Sequence, residues 1–181
     1  MKKASILIMA LCVTFLFSCI NKKNMKYKEA GGFIYVSPST EEWTETKDAS
    51  ILPGVSTYKE IRNTSVTSYI SEKYNASILI EDIQTTAENP GESYNEYFDA
   101  LYESMKKLGA VTQNKADEEK IKSRQLITQM DNNLISLKCI FYDEYETDAL
   151  IIDMVFTKDN MKDMSSIIET LFNSVQYKKH N

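Results

Sequence analysis

"SRQLITQMDNNLISLKCIFYDEYETDALIIDMVFT", residues 123–157, decides the fold. Two apolar runs, "SRQLITQM" and "NLISLKCIFYDE", flank "DNN", whose Asp and Asn tolerate the left-handed conformations of a tight turn. A second turn at "EYET" leads into "DALIIDMVFT", a strongly apolar strand. The three segments read as an antiparallel meander.

On the C-terminal side, "DNMKDMSSIIETLFNSV" places Asp159 or Asn160 as a cap, with Met161, Met164, Ile167, Ile168, Leu171, Phe172 and Val175 on one face. That is an amphipathic helix, which must pack on the sheet. On the N-terminal side, "NPGESYNEYFDALYESMKKLG" predicts a second helix. Pro90-Gly91 breaks what precedes, Ser93 is the expected N-cap, and Glu96 completes a capping box. Tyr94, Tyr97, Phe98, Leu101, Met105 and Leu108 follow at helical spacing, and Gly109 offers a C-terminal cap. "AVTQNKADEEK" (110–120) reads as a loop. Further upstream, "SVTSYIS" (65–71) and "ASILIEDIQ" (76–84) predict two strands around "EKYN", with Ile78, Ile80 and Asp82 on one face and Leu79, Glu81 and Ile83 on the other. Residues 46–64 contain Pro53-Gly54 and read as loop, with one strand around Val55 to Ile61. "FIYVSP" (33–38) is a short strand stopped by Pro38, and "STEEW" puts Trp43 in or just after a turn. The order of strands, helix, meander and helix predicts an α+β domain, a central mainly antiparallel sheet flanked by helices.

The leading "FIYVSP" followed by a tryptophan, the "SYNEYF" helix and the closing "IIDMVFTKDN…IETLFNSV" resemble the PsbP-like family. That family takes in the extrinsic PsbP protein of photosystem II, a eukaryotic Ran-binding relative and many bacterial lipoproteins. The resemblance implies a PsbP-like fold and an accessory or protein-binding role. No catalytic motif belongs to the family, so it implies no site residue.

The start of the chain carries a different message. Lys2 and Lys3 precede "ASILIMALCVTFLF", an apolar stretch of fourteen residues (4–17). That length suits the apolar core of a signal peptide, roughly 7–15 residues, and falls short of the roughly 20 that span a bilayer. Leu16-Phe17-Ser18-Cys19 resembles the bacterial lipobox, although that pattern prefers a small residue where Phe17 stands. The resemblance implies that Cys19 becomes an acylated N-terminus, with palmitate among the acyl chains. Two or three chains, at about 0.8 kcal/mol per buried methylene, hold a protein to a membrane almost permanently. Ile20 is not the Asp that retains lipoproteins in the inner membrane of enterobacteria, so an outer-membrane destination is allowed. The expected organisation is a signal peptide (1–18), a lipidated cysteine and basic tether (19–31), and one α+β domain (32–178).

Charge and cysteine content narrow the function. The net charge is −5, and removing a signal with two lysines and no acids takes it to −7. That excludes a nucleic-acid partner, whose phosphates demand a basic face. Of three cysteines, Cys12 leaves with the signal, Cys19 carries lipid, and only Cys139 remains, so no disulfide framework forms within the mature monomer.

Candidate chemistry is thin. The one histidine, His180, is the penultimate residue. Cys139 lies in an apolar strand with no histidine to pair with, and reads as a small core residue. Glu81 and Asp82 point to opposite faces of a strand and cannot share a substrate. Asp143, Glu144, Glu146 and Asp148 crowd one turn and are the candidate cation site, because hard cations want several oxygens. Tyr35 and Trp43 are the candidate exposed aromatic contact for a ligand or a partner. The expectation is a non-enzymatic, lipid-anchored protein of the bacterial envelope that binds a protein partner and carries no cofactor. The alternative is a small-molecule or cation-binding lipoprotein using the aromatic pair or the acidic turn.

Overall fold

A computed structural model describes residues 26–38, 41–46, 58–117, 121–130 and 132–178. The signal segment, Cys19, Pro53-Gly54 and His180 lie outside the described residues.

The meander forms as the sequence predicts: β7 (Lys122–Met130), β8 (Leu134–Tyr142) and β9 (Asp148–Thr157) pair antiparallel in succession. Upstream, β4 (Ile61–Ser71) and β5 (Ala76–Thr85) form a long hairpin with a bulge between Asn63 and Ser65. The two halves join through β5 and β9, which pair antiparallel from Ala76↔Phe156 to Gln84↔Asp148. With β3 (Thr44–Thr46) and β6 (Gly109–Asp117) as its edges, the sheet has seven strands in the order β3-β4-β5-β9-β8-β7-β6. A second, three-stranded sheet is built from β1 (Tyr27–Ala30), β2 (Phe33–Val36) and β10 (Gln176–Tyr177), in the order β1-β2-β10.

Helix α1 (Pro90–Met105) covers one face of the large sheet, while α2 (Met161–Ser174) and the small sheet cover the other. Beneath α2, Ile78, Ile80, Ile135, Leu137, Cys139, Leu150, Ile152, Met154 and Phe156 pack against Met164, Ile168 and Leu171. The alternation of β5, β8 and β9 sends one apolar set to this face, and α2 supplies its apolar stripe at helical spacing. Beneath α1, a smaller cluster unites Ile61, Ile83, Leu126, Ile140, Tyr142, Ala149 and Ile151 with Tyr94, Tyr97 and Phe98.

Four local expectations are corrected. The segment 109–117 is strand β6 rather than loop, paired with β7 along its whole length. An edge strand leaves most of its side chains in water, so polar residues there carry no alternation to read. Gly109 opens β6 instead of capping α1. A Cβ there would sit 2.0 Å from the Gln129 carbonyl oxygen, so this close approach admits only glycine. Helix α1 is capped by Asn89, whose side chain accepts from the Glu92 N–H at 3.4 Å, and Pro90 occupies the first turn. Ser93 is therefore inside the helix, where its hydroxyl meets that of Thr85 at 3.0 Å. Finally, Tyr27–Ala30 belongs to the domain and not to a tether. Its hairpin turns on Gly31 and Gly32, at φ +54° and +73°, and a Cβ on Gly31 would fall 2.8 Å from both the Ala149 carbonyl and the Asp82 carboxylate.

Candidate functional site

The densest cluster of buried charge lies on the α1 face of the large sheet. Strand register builds it: Lys138 on β8 stands directly opposite Asp153 on β9. Glu81 on β5 pairs with Ile151 and so sits diagonally from Asp153 on the same face. The Lys138 ammonium lies 2.8 Å from Asp153 Oδ2 and 3.9 Å from Glu81 Oε1. Asn63, beside the β4 bulge, donates from Nδ2 to Glu81 Oε2. Glu81 and Asp153 are only 5% and 6% exposed. Two carboxylates thus share one lysine out of water, a net negative cluster inside a sheet.

Burial pushes the Glu81 carboxyl above the ordinary carboxylate range, and Lys138 and Asn63 pull it only part of the way back. Burial works against the charge on Lys138 too, but Asp153 and Glu81, helped by Tyr97 of α1, outweigh it and hold the ammonium above its usual value. A raised carboxyl beside a lysine is the pattern that marks many active sites. Here the hydrogen bonds of the charged groups are turned on one another, and the cluster is sealed between sheet and helix. Such networks cost more to break than they add to stability. Asp153 Oδ1 and Thr128 Oγ1, both buried, have no hydrogen-bond partner.

A second knot ties α1 to the meander. Arg124 of β7 donates from Nε to Asn95 Oδ1 at 3.1 Å, and Nη1 lies 2.6 Å from Asp117 Oδ1. Its guanidinium stands 5.6 Å from the Tyr142 ring centre, and the Tyr142 hydroxyl is 3.0 Å from the same Asn95 oxygen. The positive charge of Arg124 is held in place by a planar fork, which a lysine could not reproduce.

The residues singled out from sequence do not assemble into a site. Tyr35 and Trp43 are 2% and 4% exposed, so the expected exposed aromatic pair is core. Trp43 stacks on Tyr74 with ring centres 6.0 Å apart, and burial raises the Tyr35 phenol, with Tyr69 adding to the rise. The small sheet lies over this corner, which is why aromatics at the entrance of the domain are covered. The acidic turn also disperses. Asp143 accepts the Tyr145 N–H at 2.9 Å, Glu144 pairs with Lys122, Asp148 accepts from Gln84 at 3.1 Å, and Glu146 acts on Tyr177. Among the described residues no three carboxylate, histidine or cysteine side chains gather as a cation would require. Cys139 is fully buried and its thiol is pushed well up, as a core residue requires.

What faces solvent is apolar surface and strand edge. Tyr27, Leu108 and Tyr145 are 46%, 52% and 82% exposed, the large hydrophobics left open among the described residues. Leu108 leads directly into β6, whose outer side has no strand partner among those residues.

No family model matches the chain, and no curated protein does. Among solved structures, the solution structure of cyanobacterial PsbP (CyanoP) from Synechocystis sp. PCC 6803 aligns with a TM-score of 0.54 at 9% identity, over 90% of this chain and 98% of that one. The fold is PsbP-like. A point mutant of Mog1 and the crystal structure of the Saccharomyces cerevisiae Ran-binding protein Mog1p align at 12% identity over 86% of this chain and 97% of theirs, with TM-scores of 0.48 and 0.47. Those two scores are too low to bear on the fold.

Proposed function

We propose that this chain is a lipid-anchored protein of the bacterial envelope whose PsbP-like domain has a non-enzymatic, protein-binding accessory role. The observation that carries the binding half is the β6 edge: nine residues, Gly109–Asp117, without proline and with the half-exposed Leu108 at its head. An open strand edge offers a row of backbone donors and acceptors, and an extended segment of a partner adds to it as an eighth strand. The anchor half rests on Leu16-Phe17-Ser18-Cys19 behind the apolar stretch.

Two experiments test the halves separately. A photo-crosslinking residue at Gln113, on the edge, should capture one recurring protein in the native cell, identified by mass spectrometry of the adduct. Capture of a different protein in every repeat, or of none while a crosslinker at Tyr145 captures one, counts against the edge. Cys19→Ala should move the protein out of the membrane fraction or leave it uncleaved, and wild-type fractionation in that variant would sink the anchor. The alternative, a ligand- or cation-binding lipoprotein, draws no support from Tyr35 and Trp43 or from the 143–148 turn.

A further inference from the structure

The two edges of the seven-stranded sheet are finished differently. At one, β3 has three residues, Thr44–Thr46, and Lys28 of the small sheet pairs with its Glu45. Short length and a covering neighbour are common ways to close an edge to other chains. At the other, β6 runs for nine residues without proline, an edge roughly 30 Å long. Ala110, Gln113, Lys115 and Asp117 are exposed along it. Lys115 and Asp117 are the charged residues of this strand, and Asp117 is held by Arg124 at 2.6 Å. A chain of net charge −5 thus has one long edge with no run of acidic side chains.

We propose that the strand β6 accepts is β6 of a second copy of this chain, antiparallel about a two-fold axis through Gln113; this rests on the reading of β6 as a strand-adding edge. The edge is complementary to itself. The register centred on Gln113 pairs all nine residues, and a centre one residue to either side pairs seven. In the full register Thr112 stands opposite Asn114 of the copy and Ala110 opposite Ala116, pairs that are small or can share hydrogen bonds. On the α1 face Lys115 stands opposite Val111, where its apolar stem covers the valine while its ammonium stays in water. Asp117 stands opposite Gly109, so no like charges face each other. Moving the centre two residues, to Lys115, sets that lysine against its own copy, which is destabilising. The two-fold axis also closes the assembly. Each copy covers the other's long edge, the short β3 edges are left outside, and growth stops at two. A joint built on one strand is at the small end of specific interfaces, so the dimer is reversible and depends on concentration.

The test uses the position that meets itself. Directly opposite residues have Cα atoms about 4.5–5.5 Å apart, a separation that a disulfide spans. The full chain carrying Gln113→Cys is produced in its own cells, which are treated intact with a membrane-permeant oxidant. The readout is the fraction of chain at twice the monomer mass on a non-reducing gel. Cys139 is fully buried, and the wild-type chain treated alike sets the background from the natural cysteines. The expected result is a shift of most Gln113→Cys to the linked dimer, with Lys115→Cys left at background. Two copies of residue 115 lie roughly 13 Å apart along the strands in this register. As much dimer from Lys115→Cys, or from Ser104→Cys on the exposed side of α1, signals chance collision and overturns the pairing. Absence of dimer at 113, while a photo-crosslinking residue there captures a different protein, overturns the second copy and leaves the strand-adding edge standing. Absence of both dimer and capture at 113 overturns the edge and the copy together.

Discussion

The two faces of the seven-stranded sheet are built from the same strands by opposite means. On the α2 side, β5, β8 and β9 present isoleucine, leucine, methionine, phenylalanine and cysteine, with Asp82 the acidic exception near the end of β5. On the α1 side the same strands present Glu81, Lys138 and Asp153, with buried Ser68, Ser136 and Thr128 nearby. The first face is held by area removed from water and is indifferent to small exchanges among its members. The second sets buried charges beside its own apolar cluster, and removing any one of them leaves the others unpaired.

Lys138→Met tests the difference most severely. It leaves two buried carboxylates facing each other without a cation, and should cost about 3–5 kcal/mol in urea denaturation. Removing all three charges together, as Glu81→Gln, Lys138→Met and Asp153→Leu, should cost much less than the single change. A triple variant less stable than Lys138→Met would refute an ionic account of that face.

Titration gives a milder form of the same experiment. The folded-state value of Lys138 is raised above 10.5, so its contribution is complete below pH 10.5 and disappears as pH rises through the higher folded value. Thermal melts should therefore show an alkaline loss that is smaller in Lys138→Met. Glu81 moves stability in the same direction with pH, for a different reason. Its raised carboxyl means that ionisation costs stability, and the cost is relieved as pH falls through its folded value.

On the apolar face the effects are smaller. Gly31→Ala forces a side chain into φ +54° against the Ala149 carbonyl, loosening the small sheet from the large one. About 1–3 kcal/mol is expected from such strain. Ile152→Val, a single methylene from a fully buried residue, should cost about 0.5–1.5 kcal/mol. If that exchange costs as much as Lys138→Met, the contrast between the faces is wrong. Leu108→Ser, at the open edge, should change stability by less than about 0.5 kcal/mol and reduce capture of a partner.

The apolar face was legible because alternation in Ile78-Ile80 and Leu150-Ile152-Met154 survives without knowledge of the neighbours. Helix α2 was legible for the same reason at a different period. The ionic face was legible only in part. Centring the turn between Tyr145 and Glu146 counts back to Lys138 opposite Asp153, so that pair could have been found from the hairpin alone. Glu81 could not, because its place beside them depends on β5 meeting β9 across the whole of residues 86–147, a register no local signal encodes. Strand β6 stayed hidden for a third reason: its structure comes from the backbone of β7, and its side chains are free to be polar. The burial of Tyr35 and Trp43 was hidden because their neighbours Tyr69 and Tyr74 come from the β4–β5 hairpin, which no local signal places beside them.

The position of β9 has a consequence in time as well as in space. Among the described residues it is the only strand that touches both the β4–β5 hairpin and the β8–β7–β6 half, and it comes last of the seven. Before residue 148 has been made, the chain holds two fragments of sheet with no common border. Contacts this distant along the chain close slowly. The strand that joins the two halves is the last of the seven to be made, so closure of the sheet waits for it.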